Sequence, residues 1–271
     1  MAGRIQQGDG DVIELRRVSK QFDNGLLAIS DVDLSVGASE IVAVIGPSGC
    51  GKSTIVRLIA GLDRPSTGSV QVAGHRVSGP DRAVGIVFQQ PRLMPWLSVE
   101  KNVSFGLDRD AGSDGVVAEA IERVGLTDFA EALPRELSGG MAQRTAIARA
   151  LVTMPPVLLL DEPFSALDAF TRIDLQQHLL DVWGWYRPTM LLVTHDIDEA
   201  LILADRVIVL SGQPGAIHSE IVVDLGRPRA RTDRAFHSFQ DRAMSELSQS
   251  SQVVTSGSQA HGSRRPPGSG R

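Results

Sequence analysis

The chain has 271 residues, 42% hydrophobic and 22% charged, with 27 Lys+Arg against 32 Asp+Glu for a net charge of −5. These proportions supply a substantial globular core, and the acidic balance offers no global basic character of the kind that coats nucleic acid. A single cysteine, Cys50, rules out a disulfide framework or multi-cysteine zinc site; no apolar run approaches the ~18 residues of a spanning helix, and MAGRIQQGDG is no signal peptide, so the sequence reads as cytoplasmic.

Residues 12–36 alternate in short strands around a turn at Asp23, Asn24 and Gly25, which predicts a small antiparallel layer. Glu40–Ile45 is the first of five near-continuous apolar runs. The others are Ala83–Phe88, Val157–Leu160, Met190–Val193 and Val207–Leu210. Such runs suit strands covered on both faces, as in a parallel α/β sheet. Ser53–Ala60 reads as a helix stopped by Gly61, and Val116–Val124 and Met141–Leu151 as further helices. The stretch from Phe88 to Val157 carries only helical patterns and is long for one crossover. It predicts an inserted helical subdomain at about 90–150. The folded unit is expected to span 1–247. Residues 248–271, rich in Ser, Gly and Pro with no acidic residue, read as a disordered basic tail.

The segment Gly46, Pro47, Ser48, Gly49, Cys50, Gly51, Lys52, Ser53 fits G-x-x-x-x-G-K-[ST], between a strand and a helix. Glycines let the backbone wrap a phosphate chain with its N–H groups inward, and the following helix start adds positive partial charge. Lys52 can reach β- and γ-phosphates, the Ser53 hydroxyl can ligate Mg²⁺, and Thr54 continues the cradle. Cys50 reads as a small residue whose backbone matters. Asp161 and Glu162 end the apolar run at 157–160; Asp161 would hold Mg²⁺ and Glu162 would polarise the attacking water. These features define a P-loop nucleotide site shared by many proteins.

The run Leu137, Ser138, Gly139, Gly140, Met141, Ala142, Gln143, Arg144 narrows the class. Ser138 can cap the next helix, while Gly139 and Gly140 leave its first N–H groups open to an anion. The run closely resembles the signature of ATP-binding cassette (ABC) ATPases, and the resemblance covers about residues 12–225. It implies a P-loop NTPase fold: a RecA-like α/β core with an antiparallel β layer and an inserted helical subdomain. It also implies ATP and Mg²⁺ as ligands and a head-to-tail homodimer in which each signature closes on the partner's ATP. Phe22 stands where the family stacks an aromatic on adenine, although plain core is the other reading. Gln89 matches the Q-loop glutamine, which approaches the Mg²⁺ and the water. Asp168, after Ser165, Ala166 and Leu167, matches the D-loop, and His195 the switch histidine. Met141 departs from the glutamine common there.

Leu93–Val99 and Gln213–Ile217, followed by a strand ending at Leu225, resemble cassettes of nitrate, sulfonate and taurine importers. Trp96 reads equally as core of the helical subdomain or as part of a groove facing a permease. The resemblance implies an ATP hydrolase at the cytoplasmic face of a bacterial inner membrane. Its partners would be integral-membrane permease subunits and, indirectly, an extracytoplasmic solute-binding protein, with no nucleic acid. The alternative is a soluble ABC ATPase acting on nucleic acid or the ribosome, for which the long coiled-coil insertion or second cassette is missing. The chain also ends too early for the regulatory domain of maltose-type cassettes.

Overall fold

The five non-alternating apolar runs become parallel neighbours, because residues that are apolar on both faces must be covered on both. In a computed structural model, which describes residues 10–107 and 113–258, they are β3 (Ile41–Ile45), β6 (Val84–Val87), β7 (Val157–Asp161), β8 (Thr189–Val193) and β9 (Arg206–Leu210). With β10 (Ile217–Val222) antiparallel on β9, they form a six-stranded sheet in the order β10-β9-β3-β8-β7-β6. A second, antiparallel sheet has the order β2-β1-β4-β5, from β1 (Asp11–Gln21), β2 (Leu27–Gly37), β4 (Thr67–Val72) and β5 (His75–Arg76).

Alternate residues of each central strand enter different cores. Val42, Val44, Leu159 and Leu191 pack with Ile13, Leu15, Val32 and Leu34 of the antiparallel layer, around α1 (Lys52–Ile59). Ile41, Ala43, Leu158, Leu160 and Leu192 face the other way, into a helical layer. That layer holds α4 (Gly139–Leu151), α5 (Ala169–Tyr186), α6 (Ile197–Leu203) and α7 (Arg234–Ser258). Between β6 and β7 the regular elements among the described residues are all helical: α2 (Val99–Ser104), α3 (Ser113–Arg123), two 3₁₀ turns at Thr127–Phe129 and Pro134–Glu136, then α4, with residues 88–98 an irregular lead-in.

Two sequence expectations need correction at the C-terminal end. The strand ends at Val222, not Leu225. Beyond it the carbonyls of Val223 and Leu225 accept from the Arg229 guanidinium, which also donates to Leu201 O and Ala204 O at the end of α6. Burial, with Arg227 nearby, pushes Arg229 down to about 10. The tail boundary at 247 is also wrong, since α7 continues to Ser258. Its serines bond back into the helix, Ser248 Oγ to Met244 O and Ser250 Oγ to Leu247 O, and Ser250 is fully buried. The remainder of the expected tail, 259–271, lies outside the described residues, as does the N-terminal segment 1–9.

Phe236 anchors α7 as one of the largest fully buried side chains. Phe236→Ala should cost about 3–5 kcal/mol, read as a single lowered transition in thermal denaturation. An unchanged midpoint would mean that α7 is no part of the cooperative unit.

Candidate functional site

Parallel strands deliver their C-terminal ends to one edge of a sheet, where loops can meet. β3 ends there at Ile45, and the next six residues wrap into a loop before α1. The wrap requires glycine at Gly51, which has φ +93° and where a Cβ would lie 2.4 Å from Ile29 Cγ2 and 2.9 Å from Ala28 O. Gly49 has φ +78°. No side chain caps α1, so its first N–H groups stay open. The Lys52 ammonium crosses beneath the loop to donate to Gly46 O at 2.8 Å and Pro47 O at 3.1 Å.

β7 and β8 supply the acidic side. Ser53 Oγ donates to Asp161 Oδ1 at 3.0 Å, joining the start of α1 to the end of β7. Glu162 N donates to Val193 O, and Glu162 holds φ 49°, a left-handed backbone that an L side chain adopts only where its surroundings enforce it. Glu162 Oε2 lies 3.3 Å from His195 Nδ1 just past β8, with the imidazole 62% exposed. Burial pushes the Asp161 carboxyl up, against the Ser53 hydrogen bond that pulls it down; the neighbouring Glu162 charge raises it further.

A cavity of about 420 Å³ opens above the loop. Ser48, Gly49, Gly51, Lys52, Ser53 and Thr54 of the loop and α1 line it, together with Glu162 and with Phe22, Leu26 and Ala28. Phe22 is thus a half-buried cavity residue, with Lys20 Nζ 5.2 Å from its ring centroid. Gly46, Pro47 and Cys50 do not line the cavity; the carbonyls of the first two hold Lys52. Cys50 is buried and burial pushes its thiol up, which removes thiolate character.

Other sequence candidates lie outside this cavity. Gln89 is exposed, two residues past Val87, whose ladder partner on β7 is Leu160; it therefore leaves the sheet at the same edge as Asp161 and Glu162. Ser138 caps α4, accepting from Met141 N at 3.2 Å, and Asp168 caps α5, accepting from Phe170 N and Thr171 N. A Cβ on Gly140 would lie 2.5 Å from Thr171 Cγ2, and one on Gly139 3.4 Å from Leu167 Cδ2. Within one chain, then, Gly139 faces Leu167 before Asp168 and Gly140 faces Thr171 of α5, and neither these glycines nor Ser138 line the P-loop cavity.

Gln213 completes the cavity and was given no role from sequence; Leu26 and Ala28 were missed as well. Gln213 Nε2 donates to Gly49 O at 2.9 Å, and a Cβ on Gly215 would meet Cys50 O at 1.8 Å. The Gln213–Ile217 turn was visible as a motif, but its contact with a loop more than 160 residues away needed the β3–β9 pairing. Trp96 is 71% exposed, which rules out the core reading. Its segment is held from beneath by Asn102, which bonds Met94, Leu97 and Ser98, while Arg149 donates to Pro91 O and Arg92 O.

The donor set fits a nucleoside triphosphate with a hard divalent cation: open amides and an ammonium for phosphate, a hydroxyl and a carboxylate for the metal. Among the described residues no group of three or more His, Cys, Asp or Glu could hold a metal ion; Mg²⁺ on Ser53 and Asp161 would take its other ligands from phosphate oxygens and water.

Comparison with known proteins agrees with this chemistry. The ABC transporter family profile matches residues 29–165. The aliphatic sulfonates import ATP-binding protein SsuB 2 of Burkholderia cenocepacia (strain HI2424) is 49% identical over 238 residues, 84% of this chain and 88% of its own length. SsuB 1 of Pseudomonas savastanoi pv. phaseolicola is 51% identical, over 86% of this chain and 95% of its own length. Among solved structures, the ATP-binding cassette MJ0796, as a dimer in a post-hydrolysis state bound to ADP and Pi, superposes with TM-score 0.69 at 33% identity. It covers 79% of this chain and 100% of its own. Clostridium perfringens cbiO1, part of the cbiONQ transporter complex, gives 0.71 at 27% identity, over 79% and 88%.

The raised Asp161 carboxyl carries a pH dependence. Above the ordinary value of 3.8 the folded chain holds this proton more tightly than the unfolded chain, so stability falls as pH rises through that window. Asp161→Asn should therefore melt a few degrees higher than wild type at pH 7 without nucleotide or metal. The gap should close as pH falls toward 3.8. A lower melting point for Asp161→Asn at pH 7 would contradict it.

Proposed function

The chain belongs to the ABC transporter family as an ATP-binding, ATP-hydrolysing cassette, and from that premise we propose that it energises a bacterial importer of aliphatic sulfonates. The observation that carries the solute class is the pair of sulfonate-import relatives at about half identity over most of both chains. Taurine and nitrate are the nearest other solutes. No described helix is long and apolar enough to cross a membrane; in this reading separate permease subunits form the pathway and an external binding protein delivers the solute. The chain would bind from the cytoplasmic face, through the surface that carries the exposed Gln89 and Trp96.

In the proposed cycle two copies pair head to tail. The exposed Ser138 and Gly139, with Gly140 beside them, would seat on the γ-phosphate held by the partner's P-loop. Phe170, 87% exposed beside Asp168, supports a pairing surface there. Ser53, Asp161 and Gln89 would hold Mg²⁺, which neutralises charge on the phosphate oxygens when bound. Phe22 offers its ring face to adenine. Lys52 already has its ammonium positioned, so little reorganisation accompanies phosphate binding. Glu162 accepts the proton of the attacking water, and His195, oriented toward Glu162, positions the γ-phosphate.

Glu162→Gln should retain ATP binding, lose about a hundredfold or more in turnover, and accumulate an ATP-bound dimer in size-exclusion chromatography; wild-type turnover would remove Glu162 from its role. Ser138→Arg should abolish ATPase activity while monomer nucleotide affinity stays within about twofold; equal loss of affinity would contradict the cross-dimer site. The solute is tested with the chain reconstituted in vesicles beside its permease and binding protein. An alkanesulfonate should stimulate ATPase more than taurine or nitrate does, and stimulation by nitrate alone would overturn the solute class.

A further inference from the structure

The loop that carries His195 is held by a network outside the nucleotide cavity. Thr194 Oγ1 donates to Glu199 Oε2 at 2.5 Å and accepts from Asp196 N at 3.1 Å. Asp196 Oδ1 accepts from Asp198 N and Glu199 N, capping α6. His195 is thus flanked on both sides by residues that side chains fix. Glu199 is buried; burial pushes its carboxyl up, and the Thr194 hydroxyl is the main influence pulling it down.

One residue joins this network to another loop. Arg172, in the first turn of α5, places Nη1 3.4 Å from Asp196 Oδ2 and Nη2 3.1 Å from Leu167 O. Its Nε–H is buried without an acceptor and sits 3.7 Å from Glu199 Oε1. A loop movement of roughly 0.7 Å would bring that pair to hydrogen-bond distance. The same stretch of α5 touches the signature helix: Thr171 fills the space at Gly140, and Asp174 pairs with Arg144 of α4. Two loops that function would move are therefore bonded to one guanidinium, whose planar fork can serve both at once.

We propose that Arg172 is a positioning residue, clamping the His195 loop to the loop ending at Leu167, so that seating of the signature helix on a partner cassette sets His195 in the same chain. This rests on the head-to-tail ATPase reading above. It makes the two nucleotide sites of a dimer interdependent, because each chain gives its signature to one site and its histidine to the other.

The test compares full-length wild type, Arg172→Ala and Arg172→Lys in MgATP hydrolysis, in binding of fluorescent ADP, and in amide hydrogen exchange. Arg172→Ala should lower kcat about tenfold, keep ADP affinity within about twofold and reduce the Hill coefficient toward unity. Arg172→Lys, a point charge that cannot bond both loops, should fall between. In Arg172→Ala the amides of Asp198 and Glu199 should exchange about tenfold faster than in wild type. A kcat for Arg172→Ala within about twofold of wild type, or ADP affinity falling in step with kcat, would overturn the clamp. A wild-type chain that binds ADP but never hydrolyses ATP would count against the ATPase reading instead. Exchange then decides the clamp alone, with unchanged rates at Asp198 and Glu199 overturning it.

Discussion

Lys52 is only 7% exposed and uses its ammonium on two carbonyls of its own loop, Gly46 O and Pro47 O. A buried ammonium without acceptors would be costly, so these bonds and the wrap of the loop form together. The wrap demands the backbone seen at Gly49 and Gly51, and Gly51 must lie against Ala28 and Ile29 of the antiparallel layer. It also needs the Gln213 turn, whose Gly215 approaches Cys50 O more closely than any side chain would permit. One buried charge thereby ties the two sheets and the β9–β10 corner to a single loop.

The catalytic candidates depend on the same edge. Asp161 stands where β7 ends beside Val193 of β8, and Glu162 is fixed in a left-handed backbone by its bond to Val193 O. The signature helix and the Asp168 loop lie on the helical side, joined to α5 at Gly140 and Arg144. The two helix starts stand apart within one chain, and the proposed pairing would use both by bringing each to the partner's site.

Much of this was legible in residue order. Five strands appear as continuous apolar runs because burial on both faces leaves no polar alternation. The P-loop and the acidic pair appear because their chemistry admits few residue types at fixed spacing. Helix α5 was harder to see. Its apolar residues point several ways, with Phe170, Ile173 and Trp185 exposed while Gln176 is buried, so no single stripe marks it. The end of α7 looked like tail because serine and glutamine are poor core residues, yet their side chains bond within the helix and Ser250 is buried.

The order of residues alone thus determined the candidate groups, namely a P-loop segment, two adjacent carboxyl groups, a histidine and a second glycine-opened helix start. It did so because those groups are local, set by a few neighbours along the chain. Only the tertiary structure decided which distant residues complete the site. It brought Gln213 onto Gly49, left Trp96 exposed, and placed Arg172 between Leu167 and Asp196. Those contacts join segments tens to more than a hundred residues apart, and strand order and helix packing fix them where no local pattern records them.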